Sequence, residues 1–305
     1  MVYDVIVLGT GPAGLSAAVY CKRYDLNLIV IGKEAGAISE ADEVDNYLGF
    51  VHISGMEMIN KFVEHAEELG VEIHREEIIK IVKQGDNFIV DTDHGSYESR
   101  SLIYALGGTK RKLGLPEEKN FVGRGVSYCA TCDGAFFRNK TVAVTGGSDS
   151  AAMAALLLSR FAKQVFIVYR RNKLRAFPVF VKKIENTENI KTIFNSVINE
   201  IKGKKLVEKI IIENTKTGEK SELELNGIFV EFGHVPNSDF AKNVGVETVE
   251  NGRIKVKEDM STNVRGFFAA GDVTTGGNDF DQAVTAAAEG SVAAASVYKL
   301  ISEVG

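Results

Sequence analysis

The sequence predicts an α/β protein containing two nucleotide-binding folds. Three observations predict it: a Gly-x-Gly-x-x-Gly run directly after an apolar strand, a second strand–turn–helix–strand segment at the same spacing, and a strand meander after each copy. At 305 residues the chain has room for about two domains and a sizeable core.

The first copy is YDVIVLGTGPAGLSAAVYCKRYDLNLIVIGKE. Gly9 makes the tight turn after the strand Val5 to Leu8, Gly11 lets a pyrophosphate approach the backbone, and Gly14 lets helix pack on strand. Pro12 and Ala13 open the helix, whose N-terminal N–H groups meet phosphate charge. Glu34, just past the second strand, is the candidate for ribose hydroxyls, against the plainer reading of a surface acid.

The second copy is KTVAVTGGSDSAAMAALLLSRFAKQVFIVYRR, and the interval from Gly146 to Arg171 equals that from Gly9 to Glu34, 25 residues. Its turn holds Gly146, Gly147, Ser148, Asp149 and Ser150, with Ser148 at the second fingerprint position and Ala151 at the third. Arg171 stands where the first copy has an acid, and Arg170 and Arg175 lie beside it. An acid would repel a 2′-phosphate whereas guanidinium groups bind it bidentately, so the expected ligand is NADP(H) rather than NAD(H). The alternative is a solvated basic turn.

Between the copies, KFVEHAEELGVEI reads as a helix running into a strand, and IIKIVKQGDNFIVDTDHGSYESRSLIYALGG as a meander. A second meander lies at VINEIKGKKLVEKIIIENTKTGEKSELELNGIFVEFG. Near the C-terminus a short strand, Phe267 to Ala270, delivers Gly271 and Asp272 to a carboxyl end, where open α/β sheets bind ligands. Asp272 is suited to accept hydrogen bonds from a polyol, or to cap a turn. From Gln282 and Ala283 onward an alanine-rich helix, apolar almost all round, is expected to be buried.

Charge and composition narrow the function. Thirty-six basic against 41 acidic residues give a net charge of −5, with no basic footprint for nucleic acid. No run approaches the roughly 20 apolar residues of a membrane span, and MVYDVIV enters a strand without a signal-peptide pattern. The expectation is a soluble, cytoplasmic protein that binds neither nucleic acid nor membrane.

The chain has three cysteines. Cys21 sits in an apolar stretch and reads as core. Cys129 and Cys132 form C-x-x-C, followed by Asp133. A closed zinc site needs four ligands, and the nearest histidines, His94 and His234, lie far from finger spacing, so zinc requires long-range assembly or a dimer. As a structural staple the pair closes too short a loop to constrain the unfolded chain much. A redox pair is the best reading, and in a reducing cytosol disulfides are usually catalytic or sensing. His52, His65, His74 and His94 read as surface residues, His234 as part of a turn, and Phe136 and Phe137 as core packing.

GTGPAG, EVDNYLGF, GRGVSYCATCDG, GGSDSA, RRNKLRA, GHVPN and GFFAAGD occur in the order in which low-molecular-weight thioredoxin reductases carry such motifs, and the chain resembles that family from end to end. The resemblance implies two Rossmann-like, three-layer ββα domains, the second inserted into the first. An FAD domain would comprise residues 1–113 and 240–305, and an NADPH domain 114–239. Electrons would pass from NADPH through FAD and the Cys129–Cys132 disulfide to thioredoxin or a glutaredoxin-like protein. Cys132 would face the flavin, Cys129 would attack the partner disulfide, and Asp133 would handle the thiol proton. Asn46 would lie near the flavin ring, with Gln282 and Ala283 at its pyrimidine end. The family also implies a homodimer and domain rotation. Alternatives are a ferredoxin or deazaflavin donor, or a flavin-binding redox sensor. The chain departs from the family in Gly36-Ala37-Ile38, in Ala105-Leu106-Gly107, and in Tyr169 for a histidine.

Overall fold

The computed structural model describes residues 1–41, 44–277 and 280–304, with the side chains at 40, 110, 132 and 304 outside that description. The chain folds into two compact units, Met1–Thr109 with Val235–Gly305, and Lys110–His234. Each is an α/β sandwich, and the second lies within the sequence of the first.

In the first unit, Glu72–His74, Leu28–Ile31, Val2–Leu8 and Ser96–Tyr104 are adjacent parallel strands, and Phe267–Ala269 extends this parallel array beside Ser96–Tyr104. Ile78–Gln84 and Asn87–Thr92 pair antiparallel with each other, and the latter with Ser96–Tyr104. The central strand registers Leu8 against Ile31 on one side and Tyr104 on the other.

Strand alternation divides the core into two layers. Val5, Val7, Leu28, Val30 and Ile103 face helices Pro12–Arg23, Gly55–Glu68 and Ala283–Val304. Ile6, Leu8, Ile29, Ile31 and Tyr104 face the opposite way, against meander residues including Ile81, Phe88 and Val90. Because both faces are covered, residues 5–8 and the strand Leu28–Ile31 are continuously apolar rather than alternating.

The second unit repeats the plan. Ile190–Phe194, Gln164–Tyr169, Thr141–Thr145, Gly227–Val230 and Val126–Ser127 form a parallel five-stranded sheet. Val142, Val144, Val165 and Ile167 pack toward helices Asp149–Ser159 and Pro178–Glu185. Ala143, Val168, Ile228 and Val230 pack toward the antiparallel meander Ser196–Lys202, Lys209–Asn214 and Lys220–Glu224. In both units the first strand of the copy lies between the second and a later strand, so each glycine turn opens at the point where strand order reverses. Ligand crevices form there in open α/β sheets.

Candidate functional sites

The first glycine turn is shaped for close backbone approach. Gly9 has φ 115°, and a β-carbon on it would stand 2.3 Å from the Ala105 carbonyl oxygen. A β-carbon on Gly14 would stand 1.9 Å from the Gly9 oxygen, whereas one on Gly11 would meet nothing within 4 Å. Two glycines are thus required by packing, and the third leaves open space. Pro12 begins the helix, Ala13 is buried, and the Thr10 hydroxyl donates to the Glu34 carbonyl. That bond places exposed Glu34 beside the turn.

Around this turn the fold gathers distant residues. The Asn46 side-chain amide donates to Gln282 Oε1 at 2.9 Å, joining positions 236 apart. The C-terminal helix begins at Ala283, so Gln282 immediately precedes it. Gly271, at φ 82°, and Asp272 follow the strand Phe267–Ala269. Burial pushes the Asp272 carboxyl up to about 6, with Asp281 adding to the rise and Arg253 opposing it. The Arg253 guanidinium clamps Asp281 at 2.8 and 2.6 Å.

Sequence reasoning missed Glu289. This buried carboxylate accepts from the Gly271 N–H at 2.7 Å and the Thr274 hydroxyl at 2.9 Å, fixing the turn that carries Asp272. Its signal was a lone acid in TAAAEGSVAAAS, because a charge on a buried helix requires partners. Glu43, in the same sequence region as Asn46, lies outside the described residues.

The second glycine turn leads into helix Asp149–Ser159, with Ser148 at its N-cap making no side-chain cap bond. Asp149 Oδ1 accepts the Phe177 N–H at 2.7 Å, and Ser150 is exposed. The Gly147 carbonyl accepts the Arg175 N–H at 2.7 Å, tying the turn to the arginine segment. Arg170, Arg171 and Arg175 are exposed, and among the described residues none has a carboxylate partner. Exposed arginines on a segment tied by its backbone to a turn at a helix N-terminus suit a phosphorylated ligand.

Cys129 is disulfide-bonded, whereas Cys21 is a free buried thiol pushed up to about 12 by burial. Cys132 and Asp133 lie in the helical turn Ala130–Asp133, and the Cys132 side chain is outside the description. The Cys129 N–H donates to Ser127 Oγ at 3.0 Å, and the Asp133 N–H to the Cys129 carbonyl at 3.1 Å. Tyr128 donates to Glu118, a buried carboxylate that also accepts the Leu113 and Gly114 N–H groups at 2.8 Å each.

Two side-chain expectations need correction. Phe136 is 73% exposed rather than core, while Phe137 does pack edge-on against Phe229. His74 is half-buried, with Nδ1 3.0 Å from the Tyr97 hydroxyl and 3.3 Å from Glu76. Packing against Tyr97 covers part of His74, whereas Phe136 lies on a face that no other element among the described residues covers, and local polarity reveals neither.

The family described as Pyridine nucleotide-disulphide oxidoreductase matches residues 3–290. The thioredoxin reductase of Bacillus subtilis is 40% identical over 99% of this chain and 96% of its own. Among solved structures, thioredoxin reductases from Lactococcus lactis and T. acidophilum align over 99% of each chain at TM-scores of 0.95 and 0.93, with 39% and 35% identity. A ferredoxin-flavin thioredoxin reductase from Clostridium acetobutylicum aligns over 99% of this chain and 98% of its own at 0.54, with 32% identity. With two nucleotide-binding folds, paired glycine turns and a disulfide beside Asp133, the chain belongs to the pyridine nucleotide-disulphide oxidoreductases, and within them to the low-molecular-weight thioredoxin reductases.

Proposed function

We propose that this protein is an NADPH-dependent thioredoxin reductase, with FAD held by the first unit and NADPH by the second. The carrying observation is the disulfide at Cys129, set in one unit with Asp133 and with a glycine turn tied to a segment of three arginines that have no carboxylate partner among the described residues.

The first site fits a flavin dinucleotide. Gly9, Gly11 and Gly14 admit a pyrophosphate, and Pro12 and Ala13 present the helix N-terminus. Glu34 and Asp272 would accept from hydroxyls of the bound cofactor, while Asn46, Gln282 and Ala283 would hold its isoalloxazine end. When bound, FAD supplies a two-electron relay between a hydride donor and a disulfide. In the second unit, Gly146, Gly147, Ser148, Asp149 and Ser150 would cradle the dinucleotide phosphates, and Arg170, Arg171 and Arg175 would hold the 2′-phosphate.

At the dithiol, the Cys129 thiolate attacks one sulfur of the partner disulfide, forming a mixed disulfide and releasing the partner's other thiolate. Cys132 then attacks Cys129 Sγ, closing the enzyme disulfide and freeing the partner dithiol, while Asp133 moves the thiol proton. The partner is thioredoxin or a glutaredoxin-like protein. A homodimer acting in the cytoplasm completes the reading. No helix among the described residues is long and apolar enough to cross a membrane.

Anaerobic titration with NADPH and NADH separately tests the proposal. Flavin bleaching by NADPH alone, followed by reduction of a thioredoxin disulfide, is expected. Bleaching by reduced ferredoxin but not by NADPH would replace the donor, and absence of thioredoxin turnover with any donor would leave a redox sensor.

A further inference from the structure

Strand Gln164–Tyr169 ends beneath the second glycine turn. A β-carbon on Gly147 would stand 2.4 Å from two ring carbons of Tyr169, so the ring occupies the space that a larger residue 147 would need. Tyr169 is 6% exposed, and its hydroxyl, closed off from solvent, has no hydrogen-bond partner among the described residues. Leaving a buried hydroxyl unpaired is costly, and phenylalanine would fill nearly the same volume without that cost.

The surroundings of this hydroxyl point to an anion. The adjacent turn enters an 11-residue helix whose N-cap, Ser148, makes no side-chain cap bond. Gly147 is tied by the 2.7 Å Arg175 bond to the segment with three exposed arginines that have no carboxylate partner among the described residues. A phosphate drawn to those guanidiniums therefore acts on the backbone lying over the Tyr169 ring.

We propose that Tyr169 is a specificity-determining residue whose hydroxyl gains its hydrogen-bond partner when a 2′-phosphorylated dinucleotide seats on this turn. Because the hydroxyl is covered, seating must shift Gly147, and the Arg175–Gly147 bond carries that shift from the arginines. The tyrosine thereby couples recognition of the terminal phosphate to closure of the glycine turn on the pyrophosphate. This inference rests on the nucleotide reading of the second unit.

Tyr169→Phe in the flavin-loaded protein tests it by calorimetric titration with NADP⁺ and by thermal unfolding with and without NADP⁺. The expected result is about tenfold weaker NADP⁺ binding. It is accompanied by a higher melting temperature without ligand and a smaller ligand-induced rise. Wild-type binding of NADP⁺ with unchanged affinity in Tyr169→Phe overturns the role of Tyr169 alone, as does a lowered ligand-free melting temperature. Failure of the wild type itself to bind NADP⁺ overturns the nucleotide reading and this inference together.

Discussion

Gly290 lies in the C-terminal helix against the fingerprint helix, and replacing it with alanine tests the packing on which the first nucleotide site stands. A β-carbon there would stand 2.0 Å from the Ala13 carbonyl oxygen, 2.9 Å from its carbon and 3.1 Å from the Ala17 nitrogen. All three are backbone atoms, so no side-chain rotation relieves the overlap. Restoring ordinary contact requires the helices to part locally by more than about 1 Å. Buried Ala13, Ala17, Ala286, Ala293, Ala294 and Val297 would lose part of their packing as they do so. Overpacking costs about 1–3 kcal/mol, and a backbone clash belongs at the upper end. Alanine returns up to about 1 kcal/mol in helix propensity. The clash wins by about 2 kcal/mol, a fall of about 3 °C in melting temperature for a chain of 305 residues. Displacement of Ala13 and Gly14 should also lower the flavin-to-protein absorbance ratio of the purified variant. Gly290→Ala with an unchanged or raised melting temperature and full flavin content would show that the two helices do not depend on this close approach.

Three further outcomes are expected. Burial holds Asp272 in the folded, flavin-free chain at about 6, above the unfolded value of about 3.9, so the folded form binds the extra proton. The associated stability is present below about pH 4 and lost as pH rises through about 6, worth up to about 3 kcal/mol. Asp272→Asn should therefore flatten the fall in urea midpoint between those pH values, while weakening flavin retention. Arg170→Ala with Arg171→Ala should weaken NADPH binding by at least about tenfold and leave NADH binding nearly unchanged, measured by flavin reduction against nucleotide concentration. Cys132→Ser should abolish thioredoxin reduction while NADPH still bleaches the flavin, and stopped-flow absorbance together with thioredoxin turnover separates the two steps.

Much of the scaffold was legible because its signals are local. The run from Gly9 to Gly14, the apolar strands beside it and the repeated interval to Glu34 and Arg171 each describe one βαβ unit. The meander at residues 78–104 and the helix-to-strand passage before it were legible through their different periodicities. The site was less legible. Asp149, in the second glycine turn, has a carboxylate oxygen engaged by the Phe177 N–H, a partner 28 positions away. Glu289 looked like one charge in an alanine-rich helix until its bonds to Gly271 and Thr274 identified the turn it fixes. Phe136 and Phe137 are adjacent and chemically alike, yet one is exposed and the other packs on Phe229.

The two nucleotide folds, the order of their elements and the cysteine pair beside an acid are written in the order of residues along the chain. Periodicity of 2 or 3.6 residues and the conformational demands of glycine act over a few neighbouring positions. That Asn46 meets Gln282, that Gly290 admits the Ala13 backbone and that the Tyr169 ring lies against Gly147 follows from the folded arrangement alone. Those contacts depend on which faces of separate elements meet, and the free energy of that meeting comes from burial and close packing across the fold.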